Sequence, residues 1–224
     1  DQFETLPTGP LSKVLWARAE YHYLPESGPK GPWSISCYSS ALGSQRAWKI
    51  IEHAGRNTLQ QNYTPGKSDS HVHPMVVAGD PLWENYILDV SFCPQSRARR
   101  SGVMFRIDND RCYYFFGVEG DQAVLKIVQE ETSFRTPFEK TLSKQALDWS
   151  PDDNLPVRIQ VDGPHIVASI NGLKVADLED STYSFGRVGL TADIPTRFNT
   201  VEVQMTPRDK LRLVARIEER EATE

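Results

Sequence analysis

The chain has 224 residues, 39% of them hydrophobic and 10% aromatic, enough for one sizeable apolar core or two small ones. Against 25 basic residues stand 30 acidic ones, and a formal charge of -5 gives no diffuse positive field for phosphate backbones. No apolar run of about 18 residues occurs, so no membrane-spanning helix is expected.

In chain order, residues 1-45 carry Pro25, Pro29 and Pro32 with Trp16, Tyr21, Tyr23 and Trp33 in no steady period. They read as an irregular lead-in that packs on the rest through aromatic anchors. The opening at Asp1, without an apolar leader, fits a processed protein or an excised piece of a longer one. From residue 46 onward, short runs rich in Val, Ile, Phe and Tyr alternate with turn residues, the pattern of an all-β sandwich or barrel. The expected strands are Ala47-Ala54, Met75-Val77, Tyr86-Cys93, Gly102-Asp108, Cys112-Glu119 and Gln122-Gln129, then Leu155-Asp162, His165-Ile170, Leu173-Asp177, Gly186-Thr191 and Arg197-Gln204. Asp108-Asn109-Asp110-Arg111, Glu119-Gly120-Asp121, Asp162-Gly163-Pro164 and Asn171-Gly172 mark reversals. Arg97, Arg99 and Arg100 sit between Pro94-Gln95-Ser96 and Ser101-Gly102 and read as a solvated loop tip. Pro207 stops the last strand, and residues 207-224, charged and rich in helix formers, read as a linker helix towards a domain outside this chain.

Val157, Ile159 and Val161 alternate with Arg158, Gln160 and Asp162, so that strand covers one side of a core. The runs Val103 to Ile107 and Tyr113 to Val118 are bulky on both faces, which suggests a core on one side and a groove on the other. Cys37, Cys93 and Cys112 lack C-x-x-C spacing, which argues against a zinc site; one disulfide with a spare thiol, or three free thiols, both fit.

The order Trp48-Lys49-Ile50-Ile51, Leu59-Gln60-Gln61, Val76-Val77-Ala78-Gly79-Asp80 and Trp83-Glu84-Asn85-Tyr86 resembles the opening of the concanavalin A-like jelly-roll domains of carbohydrate-active proteins. Gly102-Val103-Met104-Phe105-Arg106, an acidic turn, and Tyr113-Tyr114-Phe115 continue the likeness, which takes in laminin-G-like, exo-inulinase-accessory and 3-keto-disaccharide hydrolase types. It covers residues 46 to 205. The resemblance implies a two-sheet antiparallel sandwich, with Trp83 and Tyr86 in its core. The motifs are mostly core patterns and speak for fold more than for activity.

Laminarinase-type glucanases of this fold carry acidic residues in an E-x-D-x-x-E order, which retaining hydrolysis uses as acid and nucleophile. The nearest match, Glu119-Gly120-Asp121, has Val124 in the third place, so that site is absent. His71-Val72-His73 beside Asp69 supplies two imidazoles at strand spacing, a set too small to assign a metal. His22 and His53 stand alone. A sugar surface needs ring faces with hydrogen-bonding groups around them. If Asn109-Asp110 is a two-residue turn, Arg106 opposes Tyr113, Phe105 opposes Tyr114 and Met104 opposes Phe115. One face is then a core of Val103, Phe105, Ile107, Tyr114 and Phe116. The other presents Met104, Arg106, Tyr113 and Phe115 as the expected glycan-binding residues, and Arg106 would suit an acidic glycan.

The resulting expectation is an all-β, concanavalin A-like jelly-roll sandwich over residues 46-206. Its expected role is that of a non-catalytic module of a secreted or periplasmic polysaccharide-degrading enzyme, binding glycan or packing against the catalytic domain of the same parent chain. The rivals are a sandwich hydrolase or lyase and a laminin-G-like adhesion domain. No catalytic residue, metal ligand or cofactor is assigned, apart from the structural calcium that a laminin-G relation would bring to the rim; nucleic acid is not an expected partner.

Overall fold

The computed structural model describes residues 3–11, 31–36, 43, 46–64, 66, 73–130 and 138–223. Its strands are β1 (Gly9–Pro10), β2 (Ser34–Ser36), β3 (Trp48–His53), β4 (Arg56–Gln61), β5 (Met75–Ala78), β6 (Tyr86–Pro94), β7 (Ser101–Asn109) and β8 (Cys112–Glu119). They continue as β9 (Gln122–Gln129), β10 (Phe138–Ala146), β11 (Leu155–Asp162), β12 (His165–Ile170), β13 (Leu173–Glu179), β14 (Arg187–Ala192) and β15 (Thr196–Gln204), followed by helix α1 (Pro207–Glu221). An eight-stranded sheet runs β1-β3-β4-β15-β6-β11-β12-β13 and a seven-stranded sheet β10-β9-β8-β7-β14-β5-β2, with antiparallel pairing throughout.

The two sheets bury their facing sides in one core. In β11, buried Leu155, Val157, Ile159 and Val161 alternate with exposed Pro156, Arg158, Gln160 and Asp162, as a strand with one wet face requires. Across the gap stand Val103, Phe105, Tyr114 and Phe116 of the seven-stranded sheet. Phe105 and Tyr114 stack with centroids 5.1 Å apart. Tyr86 is buried in this core, whereas Trp83 is only half-buried, packed against Tyr86 and over Gly79.

Several differences from the sequence reading have local causes. The expected strand Ala47-Ala54 is β3, but no strand is expected after it: the chain turns at Ala54 and Gly55, whose φ angles of 51° and 76° form the left-handed pair that a tight hairpin needs, and returns as β4. The lead-in is not wholly irregular. Gly9–Pro10 joins the eight-stranded sheet beside β3, Ser34–Ser36 joins the seven-stranded sheet beside β5, and Phe3, Leu11, Trp33 and Ile35 are buried. Trp16, Tyr21 and Tyr23 lie outside the described residues. Cys93 and Cys112 are free thiols, and Cys37 lies outside the described residues.

Strand β10 forms one edge of the seven-stranded sheet, β13 one edge of the eight-stranded sheet, and side chains stitch the two together. Ser143 Oγ donates to the Val175 carbonyl at 2.5 Å and Gln145 Nε2 to that of Lys174 at 2.9 Å. Glycines set the spacing elsewhere: Gly102 faces Gly117 across β7 and β8, and a Cβ on either would lie 2.4 or 2.2 Å from a backbone oxygen. Helix α1 starts at the Thr206 cap, with Pro207 in its first turn, and buries none of its residues. It lies along the loop before β6 through Arg216 to Glu84 at 2.9 Å, Arg220 to Asp80 at 3.4 Å, and Asn85 donating to Asp209 at 3.1 Å.

Candidate functional site

The hairpin expected to carry the site keeps part of its register. Phe105 opposes Tyr114 and Met104 opposes Phe115, but the turn is Asp110-Arg111, because Asn109 pairs with Cys112. Residues 106 to 108 therefore stand against Tyr113 alone, a bulge in which Arg106 takes φ 50°. The expected opposition of Arg106 and Tyr113 is thereby corrected: the bulge sends the Arg106 side chain to the other side of the sheet. There its guanidinium donates to the carbonyls of Tyr183 at 3.0 Å, Glu84 at 3.4 Å and Gly163 at 2.5 Å, the last in the β11–β12 turn of the opposite sheet. Its backbone N–H donates to the Tyr86 hydroxyl at 3.1 Å. Burial lowers the Arg106 pKa, partly offset by Tyr86 and Tyr114. Gly186, with a φ of 148°, leaves room for the bulge, since a Cβ there would come within 2.4 Å of the Arg106 backbone.

Ile107 takes the place expected for Arg106. With Met104, Tyr113 and Phe115 it joins Met75, Val77, Val124 and Val128 in a second apolar cluster on the outer side of the seven-stranded sheet. Met104, Arg106, Tyr113 and Phe115 are all 0% exposed, so none presents a surface to a ligand in this arrangement.

Over that cluster lies a network of charges. Arg100, 4% exposed and placed just before β7, sits 5.1 Å above the Phe115 ring. It donates to the Tyr113 hydroxyl at 3.2 Å and to Glu139 at 2.7 Å, and its Nε is 3.6 Å from Asp193. His73 Nδ1 lies 2.9 and 3.0 Å from the two Asp193 oxygens. Lys126 joins Glu119 at 2.7 Å and Glu139 at 3.3 Å. The expectation of a solvated arginine tip fails for Arg100, which these partners draw inward, and Arg97 lies over Trp149 at 5.2 Å. His73 is thus a partner of Asp193, while His71 and Asp69 lie outside the described residues. Among the described residues no three His, Cys, Asp or Glu side chains are grouped to hold a metal.

Burial raises the Glu139 carboxyl, but Arg100, then His73 and Lys126, outweigh it and hold it at about 2. Burial likewise opposes ionisation of Asp193, and His73 followed by Arg100 brings its pKa below the ordinary range. Tyr113 is pushed up by burial, against the pull of Arg100. At neutral pH both carboxylates are therefore ionised and the phenol is neutral. Neither carboxyl has a proton to donate, which general acid catalysis would need. Sequence reasoning missed this group because Arg100, His73 and Asp193 come from three chain segments with no shared motif.

Open concavities lie instead on the eight-stranded sheet. One of about 280 Å³ is lined by Ile87, Gln160, Gln204 and the start of α1, and one of about 420 Å³ lies where β4 and β15 part.

With these positions fixed, solved structures supply the comparison. The carbohydrate-binding module CBM66 of Bacillus subtilis matches with a TM-score of 0.55 at 12% identity, over 71% of this chain and 96% of that one. The fold is a concanavalin A-like jelly roll. This jelly roll also matches the GH43 protein BlXynB of Bacillus licheniformis, with a TM-score of 0.53 at 13% identity over 77% of this chain and 36% of that one. The xyloglucan PUL protein GH43B of Bacteroides ovatus gives 0.54 at 12% identity, over 87% and 41%. The jelly roll thus spans nearly all of the binding module and less than half of each GH43 protein. No family model matches the sequence, and neither does any curated protein.

Proposed function

We propose that this jelly roll is a glycan-binding module without acid–base chemistry of its own, working beside a catalytic domain in a secreted or periplasmic polysaccharide-degrading protein. The observation that carries the absence of acid–base chemistry is the closure of the charge network. Asp193 is met by His73 and Arg100, Glu139 by Arg100 and Lys126, and Glu119 by Lys126, so its carboxylates neutralise neighbours instead of facing a bond to be cleaved. The likeness to a whole carbohydrate-binding module, and to only part of two GH43 proteins, supports the same reading.

Affinity electrophoresis against immobilised plant and algal polysaccharides, with a reducing-end assay on the same set, tests it. The chain should be retarded by at least one polysaccharide and should release no product. One feature favours a second reading, a sandwich hydrolase or lyase: a ring nitrogen of His73 rests on a buried carboxylate, an arrangement that orients a base. Turnover that survives repurification and disappears in His73→Gln would replace the first reading with the second.

A further inference from the structure

The eight-stranded sheet is split. Strand β15 pairs with β4 only at Thr196–Gln61, Arg197–Gln60 and Phe198–Leu59, then bulges at Asn199 and continues against β6 alone. Beyond Leu59 the two strands part, and the cavity of about 420 Å³ opens between them. That size falls within the range of small-ligand pockets, and a bulge is a common device for aiming side chains at such a place.

Its lining is rich in uncharged hydrogen-bonding groups. Asn199 Nδ2 donates to Asn154 Oδ1 at 2.9 Å, and the Ser91 and Thr200 hydroxyls lie 2.9 Å apart. Asn57 Nδ2 donates to the Leu6 carbonyl at 2.9 Å, which fixes that side chain. Thr58 stands out, for it is 5% exposed and its hydroxyl has no partner among the described residues. A buried hydroxyl left unpaired is costly, and such a group needs an explanation. The titratable side chains at the cavity, Glu4, His53 and Arg56, are all exposed, and Glu4 and Arg56, of opposite sign, lie 4.0 Å apart.

We propose that the gap between β4 and β15 receives a neutral, hydroxyl-rich sugar unit of a glycan, with Thr58 and Asn199 among its hydrogen-bonding contacts. The proposal rests on the glycan-binding reading and adds to it the place and the class of sugar. Amide and hydroxyl groups both donate and accept, as vicinal sugar hydroxyls do, and among the described residues no buried cation lines the cavity to call for a uronate. Among the described residues the one ring in the lining is the exposed imidazole of His53, so contact is mainly through hydrogen bonds and the affinity is modest.

The test is calorimetric titration of the chain with neutral gluco-, xylo-, galacto- and fructo-oligosaccharides, and with galacturonate oligomers. Thr58→Val keeps the shape of the side chain and removes its hydroxyl. It should weaken binding about three- to tenfold, while the thermal midpoint stays the same or rises because an unpaired buried group has gone. Asn199→Ala should weaken binding at least as much, and Gln160→Ala, at the other concavity, should leave it unchanged. If the wild type binds a neutral oligosaccharide and both Thr58→Val and Asn199→Ala bind it equally well, the cleft is the wrong place although glycan binding stands. Binding of galacturonate oligomers alone overturns the sugar class. If the wild type binds none of the probes, the proposal and the reading beneath it fail together.

Discussion

Arg106 joins an unusual backbone to a buried charge, and two substitutions separate these contributions. Its guanidinium donates to three backbone carbonyls from different loops and is 0% exposed. Truncation to alanine leaves those carbonyls without their donor and opens a cavity at the end of the sandwich. Hydrogen bonds from a charged group contribute roughly 1.5–3 kcal/mol each, offset by the cost of burying the guanidinium, so a net loss of about 3–5 kcal/mol is expected for Arg106→Ala. The backbone adds a second term. At a φ of 50° a residue with a Cβ is strained by about 1 kcal/mol and glycine is not. Arg106→Gly should therefore be more stable than Arg106→Ala, the reverse of the usual order in a strand. Chemical unfolding followed by tryptophan fluorescence measures both variants, and equal denaturant slopes show that the comparison is between like states. An alanine variant more stable than the glycine variant would refute the left-handed bulge. A loss under about 1 kcal/mol for both would refute the buried guanidinium clamp.

Other substitutions address the rest of the sandwich. Gly117→Ala brings a methyl group against the Ser101 carbonyl and should cost about 1–3 kcal/mol through the strand shift it forces, read as a lowered unfolding midpoint. Trp83→Ala should cost about 1.5–3 kcal/mol, less than a fully buried tryptophan, because the side chain is only partly buried. Glu139, shifted from 4.5 to about 2, contributes its ion-pair stability in full above pH 4.5 and loses it as the pH falls through 2. Glu139→Gln should therefore flatten the dependence of the thermal midpoint on pH across that window, and an unchanged slope would mean that the pair with Arg100 does not form in solution.

The sequence makes plain those strands that carry a strong apolar pattern between strong turns. β8, β9, β11 and β12 fall at the expected residues because turn pairs bound them, β11 through clean apolar alternation and β8 as a continuous apolar run. β4 (Arg-Asn-Thr-Leu-Gln-Gln) and β10 (Phe-Glu-Lys-Thr-Leu-Ser-Lys-Gln-Ala) were hidden: one is mostly polar, and the other is an edge strand exposed along most of its length. Missing β4 concealed the cleft, since the gap is defined by where β4 leaves β15. The expected sugar surface fails for two other reasons: Met104, Tyr113 and Phe115 share the expected face but lie buried beneath the Arg100 network, and Arg106 is turned away from them. Hairpin parity propagates from the turn, and a bulge of two extra residues at Arg106 reversed the arginine while sparing Phe105 and Met104. No local feature of the Phe105-Arg106-Ile107 run announces that bulge. Its cause is distant, in the carbonyls of Glu84, Gly163 and Tyr183 that the guanidinium reaches.

The stitched border of β10 and β13 bears on how the molecule behaves when crowded. An open sandwich has strand edges whose unpaired amides and carbonyls invite another chain to add a strand, the first step of fibril growth. Here the carbonyls of Lys174 and Val175 are already occupied by side chains of the facing edge. Lys140 and Lys144 put positive charge along the same border, which disfavours a second copy brought alongside. This side of the sandwich should therefore resist self-association in concentrated solution.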